Sequence, residues 1–575
     1  MKINYDFYKG NEIITKQDEF IGSYIDEYFD SDKISKSENS RELAYNFSAT
    51  RENILNWYPF KKEDEVLEIG SDFGVLTKKL CMMTKNVTTV ENSKYKAEKI
   101  SMICKQHENL EIIVGDLTDI VFTKKFDYIV MIGSFEKAID YYNVENQYKG
   151  ILIKLRQLIK KNGKILIATN NQFSLKYFAG GRESLTNREY ESLNGYNKSK
   201  YRSFGKGELI KLFNETEFLF HKFYYPLPDY KLPNIIFSEE YLPNEKNIVR
   251  YNPYYLDEEI INYSEITAYK EIIKNDMFDF FANSYFIEIS QTKINNDIIN
   301  INFNNIRKDK YKLTTFISKG NVYKYNTTDL SKEHYNNFTK NLKLLSKLGF
   351  DLIEKIKENY VESKFVNAKK LDEIIIENIN NKNIVFNILQ LYYNMLKIKL
   401  IIVNKDENIF KELQIEVDEN IDKLTFVKYG FFDMTLQNIF YIENKLIVFD
   451  QEWLKNNIPL EFIFYRSIKI LSQTINIDMY FIDEIYIKYN IKDYINLFEK
   501  LEKYLQDELL DNDSKRFYTY NPINVYLQHV NDVKKLEDYI ENIIKEKEKL
   551  TISQQKLNKI ENNKLIKILI KLKIL

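Results

Sequence analysis

Val66-Leu67-Glu68-Ile69-Gly70-Ser71-Asp72-Phe73-Gly74 decides the fold: an apolar strand runs straight into a glycine turn. A second apolar run, Val87-Thr88-Thr89-Val90, ends on an acid, Glu91. A strand, a tight turn onto a helix, and a second strand closing on a carboxylate predict a nucleoside-binding crevice. Such a crevice lies at the carboxyl edge of a parallel sheet.

Outward from that turn the alternation continues. Leu76–Met83 opens a first helix, Val87–Val90 is a second strand and Lys94–His107 a second helix. Leu110–Val114 ends in Gly115-Asp116-Leu117, and Phe126–Met131 leads into Ile132-Gly133-Ser134-Phe135-Glu136. Lys164–Ala168 is entered through a turn at Lys161-Asn162-Gly163. This alternation over residues 40–291 predicts a doubly wound α/β sheet. Gly70 and Gly74 let the backbone approach a ligand without a Cβ. Glu91 can accept both hydroxyls of a ribose, and Asp116 stands where an adenine amino group could be read. Asp72 sits where a dinucleotide fingerprint needs a bare amide for its pyrophosphate. An acid there repels a diphosphate and tolerates a sulfonium, which favours S-adenosylmethionine (SAM) over NAD.

The segment resembles a class I SAM-dependent methyltransferase, whose first motif reads roughly V-L-E-I-G-x-G-x-G; this chain departs from it at Asp72. The resemblance implies a Rossmann-like, seven-stranded sheet with Glu68, Gly70, Asp72, Gly74, Glu91 and Asp116 around the cofactor. Phe47–Leu55, followed by Trp57-Tyr58-Pro59-Phe60, is similar to the entry helix of a bacterial subgroup associated with cell-surface polysaccharide clusters. Asn170–Gln172 with Leu175–Gly180, Tyr224–Lys231, and the closing strand Ala282–Glu288 also resemble that subgroup. It implies Asn171, Lys176 and Tyr177 as acceptor contacts, and Tyr224, Tyr225 and Tyr230 as a wall whose flat rings suit sugars. Methyl transfer from a sulfonium needs alignment above all, and no general base is assigned from the sequence.

From about Ile301 the pattern changes. Tyr311–Ser318, a turn at Lys319-Gly320, and Asn321–Asn326 read as a hairpin carrying Lys324. A helix over Ser331–Leu348, containing Glu333, and a strand over Tyr360–Val366 follow. Phe431-Phe432-Asp433-Met434-Thr435-Leu436-Gln437-Asn438 then precedes a hairpin closing on Asp450-Gln451-Glu452-Trp453. An Asp, an Asn five positions later and an Asp after the next hairpin form a phosphoryl-transfer constellation. The first Asp orients the attacking hydroxyl, the Asn and second Asp hold magnesium against ATP, and a strand Lys grips the phosphates. The segment resembles the kinase-like fold of small-molecule kinases such as the aminoglycoside and choline phosphotransferases. That implies Asp433 as catalytic, Asn438 and Asp450 as Mg2+ ligands, and Lys324 on the ATP phosphates. It also implies Glu333 as the helix partner of Lys324, and Lys364–Val366 as the adenine hinge. Phe431 replaces a usual His, Gln451-Glu452 replaces Phe-Gly, and no G-x-G-x-x-G loop is present. An inactive kinase-like scaffold therefore stays open beside an active kinase.

Val533, Leu536, Ile540, Ile543, Leu550 and Leu557 fit an a/d heptad, with Lys547 and Gln554 at the intervening a positions. This predicts a coiled coil and a homo-oligomer, or an amphipathic helix packed on the preceding domain. Lys564–Leu575 carries lysines and no acids, a pattern for peripheral contact with an anionic membrane or for a partner protein. The expected order is an N-terminal extension (1–39), a methyltransferase (40–291), an α+β kinase-like domain (300–527) and a helical tail (528–575). It resembles bifunctional enzymes that cap O-antigen polysaccharide chains, and implies a glycan or lipid-linked glycan acceptor. A nonenzymatic assembly factor recruiting glycosyltransferases is the alternative.

The 83 Lys and Arg nearly balance 84 Asp and Glu, so a formal charge of -1 leaves no global basic field for nucleic acid. Nor does an N-P-P-Y-like tetrapeptide follow the fourth strand. Only Cys81 and Cys104 are present, both in helix-like patterns, and four histidines show no zinc spacing. Met1–Gly10 is polar, and no apolar run reaches the roughly 18 residues a bilayer demands. The expectation is a soluble chain of the reducing cytoplasm, peripheral to the inner face of the cell membrane.

Overall fold

The computed structural model describes residues 1–575 except 11, 29–40, 143–145, 198, 246–247, 249–264, 367, 418–419, 476, 512–521, 562–567, 569–570 and 573–575. The N-terminal strands are β1 (Lys2–Phe7), β2 (Glu65–Ile69), β3 (Asn86–Glu91), β4 (Leu110–Gly115), β5 (Phe126–Ile132) and β6 (Ile159–Asn170). After them come β7 (Phe220–Leu227), β8 (Ile235–Ser238), β9 (Ser284–Ser290) and β10 (Ile298–Asn302). Strands β4-β3-β2-β5-β6 run parallel, and β9 then pairs antiparallel between β6 and β7. These are the seven strands of the Rossmann-like methyltransferase fold. Successive residues of each strand point to opposite faces. Leu67, Ile129 and Ile165 therefore enter one apolar core while Val66, Val130 and Leu166 enter the other.

Two details differ from the sequence reading. The Lys161–Gly163 turn is absorbed into a continuous β6 as a register shift opposite Phe126–Tyr128. The second helix spans only Lys94–Ile103. Residues 1–28 add β1 in parallel to β4, and a helix, Lys16–Tyr28, whose Ile21 and Ile25 pack in a core with Phe73.

The sheet does not stop at these seven strands. β10 pairs with β8 on one side and with β11 (Leu313–Ser318) on the other. β12 (Asn321–Asn326) extends it further, followed by two strands from a run in chain order β13 (Asp351–Leu352), β14 (Glu354–Ile356), β15 (Val361–Lys364). Among the described residues this makes one 14-stranded sheet shared by both halves of the chain. Beyond it, β16 (Phe426–Phe431), β17 (Ile439–Ile442), β18 (Lys445–Val448) and β19 (Leu454–Pro459) form two small sheets. The helices Lys382–Lys399, Leu460–Thr474 and Ile495–Leu509 surround them and supply a separate core.

The tail is one helix, Pro522–Glu561. Leu536, Ile540, Ile543, Leu550 and Leu557 are exposed on it, so the alternative of packing on the preceding domain does not hold along these residues. The Val533 side chain and most of Lys564–Leu575 lie outside the described residues. No helix among the described residues is long and apolar enough to cross a membrane.

Candidate active site

The turn after β2 is built on left-handed backbone. Gly70 has φ 73°, Asp72 53° and Gly74 84°, and Gly74 caps the helix Val75–Met83. A Cβ on Gly70 would lie 2.5 Å from Ser134 Cβ and 2.8 Å from Tyr141 Oη, so only glycine closes the turn against β5. Around it opens a cavity of about 230 Å³, lined at the turn by Glu68, Gly70, Ser71 and Asp72. Its far end is lined by Tyr45, Arg51, Glu136, Lys137, Tyr230 and Lys231.

Glu91 closes β3 buried at 1% exposure, just outside the residues that line the cavity. Its Oε1 accepts from the amides of Asn92 (3.0 Å) and Ser93 (3.3 Å), while Oε2 is buried without a partner. Burial pushes this carboxyl up to about 7, against the pull of Lys96. An orphaned carboxylate oxygen at the tip of the second strand fits ribose hydroxyls, which would supply the missing donors. Ser71 Oγ is likewise buried and unpartnered. Glu68, also pushed up to about 7 by burial, accepts from Thr77 Oγ1 at 2.6 Å and fixes the turn from below. Asp72 does not face the cavity as a lone anion. Lys96 Nζ lies 2.7 Å from it and 3.1 Å from Asp18, tying the turn to the N-terminal helix. Although burial opposes it, Lys96, with help from Lys137, holds Asp72 below the usual carboxylate range. Asp116 is outside the lining set and accepts from Thr118 N (2.8 Å) and Thr118 Oγ1 (2.7 Å). The residues present fit SAM: Glu91 would hold its ribose, and the Gly70–Gly74 turn its methionine side.

The acceptor end departs from the sequence reading. Asn171, Lys176 and Tyr177 lie behind the cavity wall and do not line it. Asn171 Nδ2 donates to the carbonyls of Phe280 and Ala282, Lys176 Nζ to Asn170 Oδ1 at 2.6 Å, and Tyr177 Oη to Glu183 at 3.4 Å. Tyr224 and Tyr225 are fully buried in the two cores, Tyr224 tilted against Trp57 at 4.7 Å, so they form no sugar-facing wall. Of the three tyrosines only Tyr230 reaches the cavity.

Glu136 is the residue the sequence did not single out. It follows β5, is 1% exposed, and accepts from Asn170 N at 2.7 Å and Asn170 Nδ2 at 3.4 Å. Burial first, then the nearby Glu183, push it up to about 7. A carboxyl of that affinity at the far end of the cavity can take a proton near neutrality. Its position after β5 is legible in the sequence, but not its burial or its approach to Glu183.

A second constellation gathers across the cleft below β12. Lys324 Nζ is ion-paired with Asp450 and lies 2.6 Å from Glu452 Oε1. Glu452 also pairs with Arg307, and with His334 at 3.1 Å. Glu333 is exposed on its helix; His334 faces inward instead, so Glu452 is the partner of Lys324. Burial disfavours the charge on Glu452, yet Arg307 and Lys324 hold it well below its ordinary value. Asp433 lies 3.3 Å from Arg466 and is pushed up to about 7 by burial. Asn438 Nδ2 (2.9 Å) and Gln451 Nε2 (3.0 Å) both donate to the Asp433 carbonyl. Lys324, Asp433, Asn438 and Asp450 thus share one polar centre. Among the described residues no three His, Cys, Asp or Glu side chains gather as a metal site, so a cation here would rest on Asn438 and Asp450. In the segment expected as an adenine hinge, Phe365 donates its amide to the Gly320 carbonyl, and its ring meets Tyr241 edge-on at 6.0 Å.

Comparison with known proteins bears on the N-terminal half. The family model "Ribosomal RNA adenine dimethylase" matches residues 47–156. An uncharacterized methyltransferase of Staphylococcus carnosus (strain TM300) is 27% identical over 177 residues, 31% of this chain and 79% of that protein. Ribosomal RNA small subunit methyltransferase A of Malacoplasma penetrans (strain HF-2) is 30% identical over 129 residues, 22% of this chain and 43% of that one. Among solved structures, the N-methyltransferase NodS from Bradyrhizobium japonicum WM9 with S-adenosyl-l-homocysteine matches at 14% identity and a TM-score of 0.21. That match covers 26% of this chain and 74% of that one. Strand order, glycine turn and the sequence matches together make the N-terminal half a class I SAM-dependent methyltransferase.

Proposed function

We propose that the chain transfers a methyl group from SAM to an oxygen of a glycan or glycan-linked acceptor in bacterial cell-surface polysaccharide biosynthesis. The observation carrying this reading is the second polar centre, Lys324, Asp433, Asn438 and Asp450, on a sheet continuous with the methyltransferase. Two transfer stations on one scaffold suit an acceptor that is both methylated and phosphorylated, with ATP and Mg2+ at the second. Glu136 serves as the base at the first, taking the proton of the acceptor hydroxyl, while SAM when bound would supply the methyl group and leave as the neutral thioether. The setting is the cytoplasm at the inner face of the membrane, with Lys564–Leu575 as the peripheral contact, the tail as an oligomer seam and glycosyltransferases as neighbours.

A second reading, methylation of a ribosomal RNA base, is favoured by the family match over 47–156 and by the Malacoplasma penetrans relative. Against it stand the balanced charge and the run Ile132-Gly133-Ser134-Phe135-Glu136 where an N-P-P-Y-like tetrapeptide would be needed. Incubation with methyl-labelled SAM, offering surface polysaccharide from a deletion strain beside small-subunit ribosomal RNA, separates the two. Label in the polysaccharide supports the first reading; label in RNA alone overturns it.

A further inference from the structure

The β11–β12 hairpin has two faces with different neighbours. Cross-strand pairing sets Thr314 against Tyr325 and Phe316 against Tyr323. On the inner face Lys324 turns into the polar centre with Asp450 and Glu452. On the outer face Thr314, Phe316, Ser318, Tyr323, Tyr325 and Thr327 line a separate cavity of about 510 Å³. Its opposite wall belongs to the methyltransferase: Asn56, Trp57 and Lys79, beside the helix that begins at Gly74. That volume falls within the range of small-ligand pockets.

The chemistry of the lining is specific. Phe316, Tyr323 and Tyr325 are half-buried, Phe316 edge-on to Tyr325 at 5.5 Å. Between the rings stand neutral hydroxyls and amides, among them Thr314 and Thr327, whose hydroxyls are 2.8 Å apart. The one cation, Lys79, is paired with Glu52 at 3.3 Å. A phosphate or nucleotide finds no unpaired cation there, and Asn56, Asn326 and the threonine pair interrupt the continuous apolar surface that a lipid chain needs. A ring with apolar faces and equatorial hydroxyls satisfies both halves of the lining. We infer that this cavity, between the back of the Lys324 hairpin and the methyltransferase, binds a neutral saccharide segment of the acceptor chain. The inference rests on the glycan reading above, and it supplies the aromatic platform that the buried Tyr224 and Tyr225 do not.

The test is native affinity electrophoresis of the full chain through gels containing dextran, yeast mannan or a soluble galactan, neutral polysaccharides used as probes. Tyr323→Leu and Tyr325→Leu keep apolar bulk while removing the flat ring, and Tyr325→Phe keeps the ring. At least one polymer retards the wild type, each Leu variant weakens the apparent affinity about fivefold, and Tyr325→Phe retains it. Calorimetry with SAM, unchanged in all three, establishes that the fold is intact. Retardation that persists equally in both Leu variants overturns the cavity while leaving a glycan acceptor at the cofactor site. Retardation by none of the polymers overturns the cavity and removes the binding expected of the glycan reading, whereas SAM binding reports separately on the methyltransferase.

Discussion

Glu91 and Glu136 are both buried carboxyls pushed up to about 7, yet only Glu136 lines the cavity. Glu91 keeps a buried, unpartnered oxygen at the tip of β3, where the ribose of SAM would supply donors. Removing one charge-assisted bond pair costs about 1.5–3 kcal/mol, so Glu91→Ala lowers SAM affinity roughly tenfold to a hundredfold in calorimetry. Hydroxyl donors bind the ionised form, so wild-type affinity rises from pH 6 to pH 8. Glu136 lines the acceptor end. Glu136→Gln lowers the methylation rate about 10²–10⁴-fold, the usual size of a general-base effect, with SAM affinity unchanged. The wild-type rate climbs with pH through about 7, and the variant loses that limb. The same burial sets a stability term of defined sign. Glu68, Glu91 and Glu136 titrate near 7 when folded, against about 4.3 when unfolded. Their stabilisation is full below about pH 4.3 and is lost as pH rises through 7. Thermal unfolding of the ligand-free chain measures this, and Glu68→Gln flattens the slope between pH 5 and 8.

At the scale of the element, the glycine turn and the Lys324 cluster are two places where a single side chain decides geometry. A Cβ at Gly70 meets both Ser134 and a positive φ. Gly70→Ala therefore costs about 1–3 kcal/mol and abolishes SAM binding, as chemical denaturation and calorimetry would register. Glu452 neutralises Lys324 and Arg307 and meets His334. Removing one member of such a buried set costs about 3–5 kcal/mol, so Glu452→Ala destabilises strongly while exposed Glu333→Ala leaves unfolding unchanged. The sequence was readable at the turn because apolar strands and glycines have few alternative uses. It misled at Glu333 because helical phase separates neighbouring residues: one step along, His334 is the side chain that enters the core. Tyr224 and Tyr225 misled for a related reason, since a strand buried on both faces hides alternate residues equally. Glu136 was illegible because its role comes from burial and from Glu183, which lies far along the chain.

Across the whole molecule, the unforeseen feature is the continuity of the sheet through β8, β10 and β11. The pattern change near Ile301 was legible and β10 and β11 are close in the chain, but the pairing of β10 back to the distant β8 leaves no local signature. The pairing makes each half cover an edge of the other. A chain ending at Asn302 exposes the long edge of β10, and open edges associate. Such a truncated chain therefore runs as a concentration-dependent oligomer in size-exclusion chromatography, where an independent domain would stay monomeric.

The central claim is that the crevice of Gly70–Gly74 and Glu91 holds SAM. Isothermal titration of the full chain with SAM tests it most directly. The wild type shows saturable one-site binding, weakened tenfold or more in Glu91→Ala. Absence of binding by the folded wild type, or equal binding by the two, would contradict it.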